Sequence, residues 1–237
     1  GSGAPSVEGI NFKAMKGQTI GVIGGTGSGK SSLVNLIPRL YDATQGEVLV
    51  DGVNVKDYDI EALRNKVGIV MQKAVLFKGT IRENMWMGKK GATDEQIDEA
   101  LEISQSKEFV DSKQGRLDYV IEQGGKNLSG GQRQRLTIAR AIVRKPDVLI
   151  LDDSASALDF ATDAALRKAI RGMNNSPTVF IVSQRAASLM YADLIIVLDD
   201  GQVAGMGTHD ELLANCEVYK EIYESQFRKA DSEGGVA

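Results

Sequence analysis

The chain has 237 residues, 42% of them hydrophobic and 25% charged, as in an ordinary globular protein with a substantial core. The formal net charge of −4 gives no general attraction to nucleic acid or to an anionic membrane surface, and we predict no nucleic-acid partner. The single cysteine, Cys216, excludes an internal disulfide and fits a reducing compartment, and the apolar runs are too short to span a membrane.

The first 80 residues alternate between apolar runs and glycine-rich turns. Residues 1–8 are predicted to be a cloning remnant or a linker. The run QTIGVIG at 18–24 predicts a strand, and GKSSLVNLIPRL at 29–40 has helical spacing. GEVLVDGVNV at 46–55 predicts a hairpin around its Asp-Gly turn, and KVGIVMQ at 66–72 predicts a buried strand.

Helical periodicity replaces the β-rich runs between about residues 81 and 141. The stretches TIRENMWM, TDEQIDEALEISQSKEFV and GGQRQRLTIARAIV space their apolar residues as helices do. Thr93, with Gln96 three residues later, predicts a capping box at a helix start. We interpret residues 81–141 as a helical subdomain inserted into an α/β core.

The α/β pattern resumes after this insertion. The predicted features are a strand at 147–153, a helix over about 160–172, a strand at 178–184, a hairpin at 194–207, a final amphipathic helix from near Thr208 to about 229, and a flexible tail at 230–237.

The segment GGTGSGKS at 24–31 matches the phosphate-binding pattern G-x-x-x-x-G-K-[ST] between a predicted strand and a predicted helix. Glycines let successive backbone N–H groups face phosphate oxygens. Lys30 can reach the β- and γ-phosphates, and the Ser31 hydroxyl can bind Mg²⁺. A flexible turn with an incidental lysine is the weaker interpretation. The predicted nucleotide-binding residues are Gly25, Thr26, Gly27, Ser28, Gly29, Lys30, Ser31 and Ser32.

Two aspartates end the predicted strand VLILD. Either acid alone could simply cap the next turn. With a phosphate-binding loop upstream, Asp152 is instead predicted to hold Mg²⁺, directly or through water. The chain is therefore predicted to bind a nucleoside triphosphate.

The motif LSGGQ at 128–132 continues as LSGGQRQRLTIARAIVRKPDVLILDD, and this resembles the signature of the ATP-binding cassette (ABC) ATPases. By itself LSGGQ could be a helix N-cap followed by two glycines. Gln72 matches the family's Q-loop glutamine, and SALD at 156–159 matches its D-loop. LFKGTIRENM and LDDGQVAGMGTHDELL resemble the exporter branch, and the resemblance covers about residues 9–225.

The resemblance implies an α/β fold over residues 9–229: a P-loop NTPase (RecA-like) core with an antiparallel β subdomain and an inserted α-helical subdomain. It implies that two cassettes enclose two ATP molecules, with Asp159 at the dimer interface. Each site then pairs one chain's phosphate loop with the other chain's signature, here Leu128, Ser129, Gly130, Gly131 and Gln132.

The same resemblance implies ATP and Mg²⁺ as cofactors, with Ser31, Gln72 and Asp152 as metal ligands. It implies two kinds of partner, a second ABC cassette and the transmembrane domains of a transporter. The domain is accordingly expected at the cytoplasmic face of a membrane.

Two departures from the family pattern affect the predicted catalytic residues, which are Gln72, Asp153 and Gln184. Asp153 stands where the family has a glutamate, and one methylene fewer withdraws the carboxylate by roughly 1 Å, enough to cost on the order of 10²-fold in rate. Gln184 stands where the family has a histidine, and its amide can donate a hydrogen bond but carries no positive charge. His209 is interpreted as a surface residue near a helix cap.

A third departure lies before the phosphate loop, where the family has further strands and an aromatic residue that stacks on adenine. Phe12 is the only aromatic residue there, and we expect it to pack in the β subdomain. Whether that part is truncated or the base is held differently stays open.

Together, Asp153 and Gln184 predict the degenerate-site half of a heterodimeric multidrug-type exporter, with weak hydrolysis at its own site. The alternative is a nucleotide-gated binding module with essentially no turnover. A cassette ATPase of repair or translation has little support, because the chain has one cassette and exporter-like loops.

Overall fold

The computed structural model describes residues 6–154 and 157–233, the last seven of them as helix backbone only. The predicted linker at 1–8 and tail at 230–237 lie partly outside the described residues. Ser156 of the predicted D-loop segment also lies outside them.

The regular elements follow one another in a mixed α/β order. The strands are β1 (Thr19–Gly24), β2 (Leu49–Val50), β3 (Val53–Asn54), β4 (Val67–Val70), β5 (Gly79–Thr80), β6 (Val120–Ile121), β7 (Val148–Asp152), β8 (Thr178–Val182), β9 (Leu194–Asp199) and β10 (Gln202–Gly207). The helices are α1 (Lys30–Asn35), α2 (Ile60–Lys66), α3 (Ile81–Trp86), α4 (Asp94–Ile103), α5 (Lys107–Asp111), α6 (Gly130–Ile142), α7 (Phe160–Arg171), α8 (His209–Asn215) and α9 (Glu217–Glu233).

These elements form two compact units. The first comprises residues 6–63 and 178–233, and the second comprises residues 64–154 and 157–177. The predicted division into an ABC core and a helical subdomain at 81–141 stays a prediction.

The first unit is built around β1, which pairs in parallel with β8 on one side and β9 on the other. β10 adds antiparallel to β9 as the second strand of a hairpin. All six residues of β1 are buried, which explains why this strand is a continuous apolar run rather than an alternating one. The predicted strands at 18–24 and 178–184 and the hairpin at 194–207 are confirmed.

A second hairpin in this unit pairs β2 with β3. Its turn residues, Asp51 and Gly52, have φ of 51° and 78°, the left-handed values that tight hairpin turns require. The predicted hairpin is confirmed. The expectation for Phe12 is wrong, because its ring meets Phe180 of β8 edge-on, with the centroids 6.2 Å apart.

The end of the chain forms two helices where the sequence predicts one. The helix predicted from near Thr208 to about 229 is interrupted at Cys216, whose φ of −125° and ψ of 104° are extended. Cys216 is buried against β10, where a side-chain carbon on Gly205 would lie only 2.8 Å from its sulfur. The extended backbone at Cys216 therefore separates α8 from α9.

The interpretation of His209 as a residue near a helix cap is confirmed, since it follows Thr208, the N-cap of α8, but it is less exposed than a typical surface residue. Its ring is half-buried, and Nδ1 lies 2.8 Å from the hydroxyl oxygen of Tyr219. The His209 ring also contacts the Tyr223 ring in a tilted arrangement, with the two centroids 5.3 Å apart. His209 therefore links α8 to α9.

Tyr219 gives this helix pair a testable response to alkaline pH. Burial, with a smaller contribution from Tyr223, raises the pKa of Tyr219 to about 12, above the value of about 10 in an unfolded chain. The folded state therefore keeps its proton longer, so stability is complete below about pH 10 and is lost as pH rises toward 12. Tyr219→Phe should remove this loss in urea unfolding curves at pH 9 to 12, whereas the exposed Tyr41→Phe should retain it.

The second unit contains the parallel pair β4 and β7 and the short antiparallel pair β5 and β6. Thr93 forms the predicted capping box with Gln96, and α7 confirms the helix predicted near 160–172. The stretch TDEQIDEALEISQSKEFV, predicted to be helical, forms two helices, because Gln105, with a φ of 59°, separates α4 from α5. Across residues 6–154 and 157–233, no helix has the length and apolar character needed to cross a membrane.

Candidate functional site

The predicted phosphate-binding loop connects β1 to α1 in the first unit. Gly24 is closely packed, since a side-chain carbon there would lie 2.1 Å from the Leu198 carbonyl oxygen. Gly29 has a φ of 93° immediately before α1, a left-handed conformation that favours glycine. Two of the motif's glycines are therefore required by the backbone itself.

Lys30 folds back into this loop. Its Nζ donates to the carbonyl oxygens of Gly24 at 2.9 Å and Gly25 at 2.6 Å, and lies 3.5 Å from the Ser28 hydroxyl. The side chain is only 9% exposed, whereas Gly25, Thr26 and Gly27 on the loop's crest are exposed. The ammonium group thus lies inside the loop, where its charge favours an anion held by the crest. The Ser31 side chain at the start of α1 is exposed, and Ser32 is half-buried.

Gln184 lies two residues after the end of β8 in the same unit, with its side chain exposed. Its backbone carbonyl accepts a hydrogen bond from Gln226 of α9 at 2.7 Å. Sequence reasoning missed Gln226, because a contact 42 residues along the chain leaves no local signal.

The second unit brings Gln72 and Asp153 together. Gln72 follows β4 and Asp153 follows β7, and because these strands are parallel neighbours their carboxyl ends meet at one edge. Gln72 Nε2 donates to Asp153 Oδ2 at 3.2 Å. Asp152, the last residue of β7, is 5% exposed, and Asp153 has a φ of 45°.

The signature motif begins α6. Ser129 is the N-cap: its hydroxyl oxygen accepts from Gln132 N at 3.2 Å, while Gln132 Oε1 accepts from Ser129 N at 3.1 Å. Gly130 and Gly131 form the first turn, and Leu128 before them is buried. The helix-cap interpretation of this motif thus describes its geometry, which leaves its binding role a separate question.

Arg133 is a second residue that sequence reasoning missed. Its Nη1 donates to the carbonyl oxygens of Leu128 at 2.7 Å and Gly125 at 3.3 Å. One guanidinium group therefore ties the loop before the signature to α6. The available signal was an arginine in the first turns of the helix, within reach of the carbonyls of the loop that precedes it.

Asp159 is the N-cap of α7, where its two carboxylate oxygens accept from the Thr162 N–H at 2.9 Å and the Thr162 hydroxyl at 2.7 Å. These hydrogen bonds hold the pKa of the Asp159 carboxyl below its usual range, so the carboxylate stays charged. Phe160 beside it is 77% exposed, which is unusual for a large apolar side chain.

Comparisons with known proteins agree with this geometry. Residues 7–156 match the ABC transporter family. The chain is 45% identical over 224 residues to an uncharacterized ABC transporter ATP-binding protein of Bacillus subtilis (strain 168), covering 94% of this chain and 39% of that protein. It is 40% identical over 223 residues to a putative multidrug export ATP-binding/permease protein of Staphylococcus aureus (strain NCTC 8325 / PS 47), with the same coverage.

A solved structure, of a bacterial Atm1-family ABC exporter with ATP bound, superimposes with a TM-score of 0.88 at 32% identity, covering 93% of this chain and 39% of that one. The chain belongs to the ABC transporter family, and it is an exporter-like nucleotide-binding domain with the predicted α/β fold. It spans about two fifths of the length of these relatives.

Proposed function

We propose that this chain binds Mg–ATP and pairs with a second ABC cassette to drive transport through membrane domains. The observation that carries the proposal is the loop at 24–31, with the Lys30 ammonium held inside it and an exposed crest at residues 25–27. A triphosphate presents oxygens that backbone N–H groups and a lysine can bind together.

The residues assigned to Mg²⁺ suit a hard cation. Ser31, Gln72 and Asp152 offer a hydroxyl, an amide oxygen and a carboxylate, which are the oxygen ligands that Mg²⁺ prefers. Gln72 uses its nitrogen to bond Asp153, so the amide oxygen remains for a cation. In the described residues no three His, Cys, Asp or Glu side chains cluster as a metal site. Protein sites for Mg²⁺ commonly use one or two protein groups together with substrate phosphates, and we propose that the assigned residues act in this way.

We further propose that the chain's own site is degenerate. Asp153 has a short side chain on a left-handed backbone and already accepts a hydrogen bond from Gln72, so it reaches a water less well than a glutamate would. Gln184 offers the γ-phosphate an amide without positive charge. The site then holds ATP better than it hydrolyses it.

The signature of this chain would complete the competent site of its partner. The Ser129 hydroxyl and the N–H groups of Gly130 and Gly131 lie at the positive end of a 13-residue helix, which favours an anion. Asp159 and the exposed Phe160 supply further contacts for that cassette. A heterodimer with one competent site follows, and the multidrug export named for a relative suggests the kind of transport.

A second candidate is a nucleotide-gated module with essentially no turnover. The same two observations, the short acid at 153 and the uncharged amide at 184, favour it if hydrolysis is lost altogether. The two candidates differ in whether a restored acid and histidine can produce catalysis.

The deciding experiment compares steady-state ATPase rates of the chain and of Asp153→Glu/Gln184→His. We expect a gain of about tenfold to 100-fold, because the carboxylate regains roughly 1 Å of reach and a charge can form near the γ-phosphate. Asp200→Glu/Gln202→His is the matched control, since Asp200 also has a positive φ but lies in the β9–β10 turn.

Two results would decide against parts of the proposal. Equal and measurable rates for the chain and the double variant would refute the degenerate site. ATP binding by the double variant with no turnover in either protein would favour the nucleotide-gated module.

A further inference from the structure

The segment after β8 is held by one side chain from helix α9. Gln226 Nε2 donates to the Gln184 carbonyl oxygen at 2.7 Å, and Gln226 Oε1 accepts from Ala186 N at 2.9 Å. A single carboxamide thus fixes the backbone on both sides of Arg185.

The same segment is fixed from the strand side. Ser183 N donates to the Val22 carbonyl oxygen of β1 at 3.1 Å, and the Ser183 hydroxyl oxygen accepts from Arg185 N at 2.9 Å. Gln184 is therefore a residue with a tethered backbone and an exposed side chain. Such a side chain can change its rotamer to contact a ligand while its backbone atoms stay in place.

We call the two hydrogen bonds between the Gln226 side chain and the Gln184 and Ala186 backbone the Gln226 clamp. Its chemistry restricts which residue type can form it. The Gln184 carbonyl needs a donor and the Ala186 N–H needs an acceptor, and a carboxamide supplies both on one planar group. These partners also fix which end of the Gln226 amide is oxygen. A carboxylate of the same size would keep the acceptor and set a negative charge against the Gln184 carbonyl.

Helix α9 is itself firmly seated before Gln226. Tyr219 is fully buried, and its hydroxyl oxygen lies 2.8 Å from His209 Nδ1. Gln226 follows Tyr219 by seven residues, which is two helical turns, so both side chains lie on one face of the helix. The clamp therefore transmits the position of a packed helix to the Gln184 segment.

We propose that Gln226 is a positioning residue, which holds the Gln184 backbone so that the Gln184 side chain meets the γ-phosphate of ATP. This inference rests on the proposed function, because it needs Gln184 to face the triphosphate. It makes α9 part of how the domain distinguishes ATP from ADP, since only ATP has the phosphate that Gln184 would contact.

The test measures Mg–ATP and Mg–ADP affinities of the 237-residue chain and of Gln226→Glu by calorimetry at pH 7.5. We expect the variant to bind ATP about fivefold more weakly, the equivalent of roughly one hydrogen bond, while ADP affinity stays unchanged. A merely structural role would instead weaken both nucleotides together and lower the melting temperature.

A pH series adds a second readout. In Gln226→Glu, the protonated form of the introduced carboxyl group would again donate to the Gln184 carbonyl and accept from Ala186 N. The ATP deficit relative to the parent chain should therefore shrink as pH falls toward 5. Gln226→Met, of similar length but without either polar group, should show the deficit without any recovery at low pH.

Gln105→Glu is the matched control, because Gln105 Nε2 also donates to a backbone carbonyl, that of Glu102 at 3.1 Å. An ATP-to-ADP affinity ratio in Gln226→Glu equal to that of the parent chain would overturn the inference alone. A parent chain without ATP affinity would overturn the proposed function and the inference with it.

Discussion

Replacing Lys30 with alanine is expected to reduce the affinity for Mg–ATP by at least about 100-fold. The ammonium group lies inside the phosphate-binding loop, 2.6 Å from the Gly25 carbonyl oxygen, and is 9% exposed. Losing it leaves triphosphate charge unpaired at a protein surface, and removing one partner of such a close charge pair costs several kcal/mol. Isothermal calorimetry of the purified variant gives the affinity directly.

The control for this change is another lysine that donates to a backbone carbonyl. Lys56 Nζ donates to the Ala43 carbonyl oxygen at 2.8 Å on the exposed side of the same unit, and Lys56→Ala should leave ATP affinity unaltered. Circular dichroism melts of both variants separate loss of binding from loss of fold. An unchanged affinity in a folded Lys30→Ala variant would contradict the assignment of the loop.

Ser129→Arg should abolish ATP-dependent dimer formation. In the proposed arrangement the Ser129 hydroxyl at the start of α6 faces a triphosphate on another cassette, and a second copy of this chain takes the partner's place in solution. Slow hydrolysis at a degenerate site lets the ATP-bound dimer accumulate, whereas an arginine adds bulk at the contact and removes the helix cap. Light scattering with Mg–ATP and without nucleotide measures the dimer fraction.

Two comparison variants sharpen this experiment. Ser112→Arg changes a serine at the end of α5 in the same way and should leave the dimer intact. Asp153→Asn should also leave it intact, because that carboxylate contributes little to holding ATP. Loss of the dimer in Asp153→Asn as well as in Ser129→Arg would contradict the division of roles between the chain's own site and its signature.

Elements whose apolar pattern is set by burial on both faces were predictable from sequence. β1 and β8 are buried along their whole length, and their runs TIGVIG and TVFIV indicate strands without ambiguity. The hairpin turn at Asp51 and Gly52 was equally clear, because few residues adopt left-handed backbone readily. The motif residues of the candidate site were likewise predicted from their spacing, and their binding roles stay predictions.

Interruptions of helices were not predictable, because their causes lie elsewhere in the chain. The apolar spacing continues through Cys216, yet α8 ends there, where Cys216 packs against Gly205 of β10. Gln105 likewise carries no glycine or proline signal, yet its backbone is left-handed between α4 and α5. Helical periodicity indicates which face of a helix is buried, but it does not predict where the helix is interrupted.

Contacts between residues far apart in sequence were also not predicted. Phe12 packs on Phe180, and Gln226 donates a hydrogen bond to the backbone carbonyl of Gln184. Neither Phe12 nor Gln226 lies in a sequence motif that would predict its contact. Motif patterns predict residues that contact a ligand. They do not locate the residues that hold those in place.

The left-handed backbone at Asp153 bears on how the proposed degenerate site could gain hydrolytic activity. Aspartate tolerates its φ of 45° better than glutamate, for which this conformation costs about 1–2 kcal/mol. A proline in place of Ser154 would push residue 153 toward extended backbone and relieve that cost. The two positions are therefore expected to be epistatic: a glutamate at position 153 gains its full benefit only when residue 154 also changes.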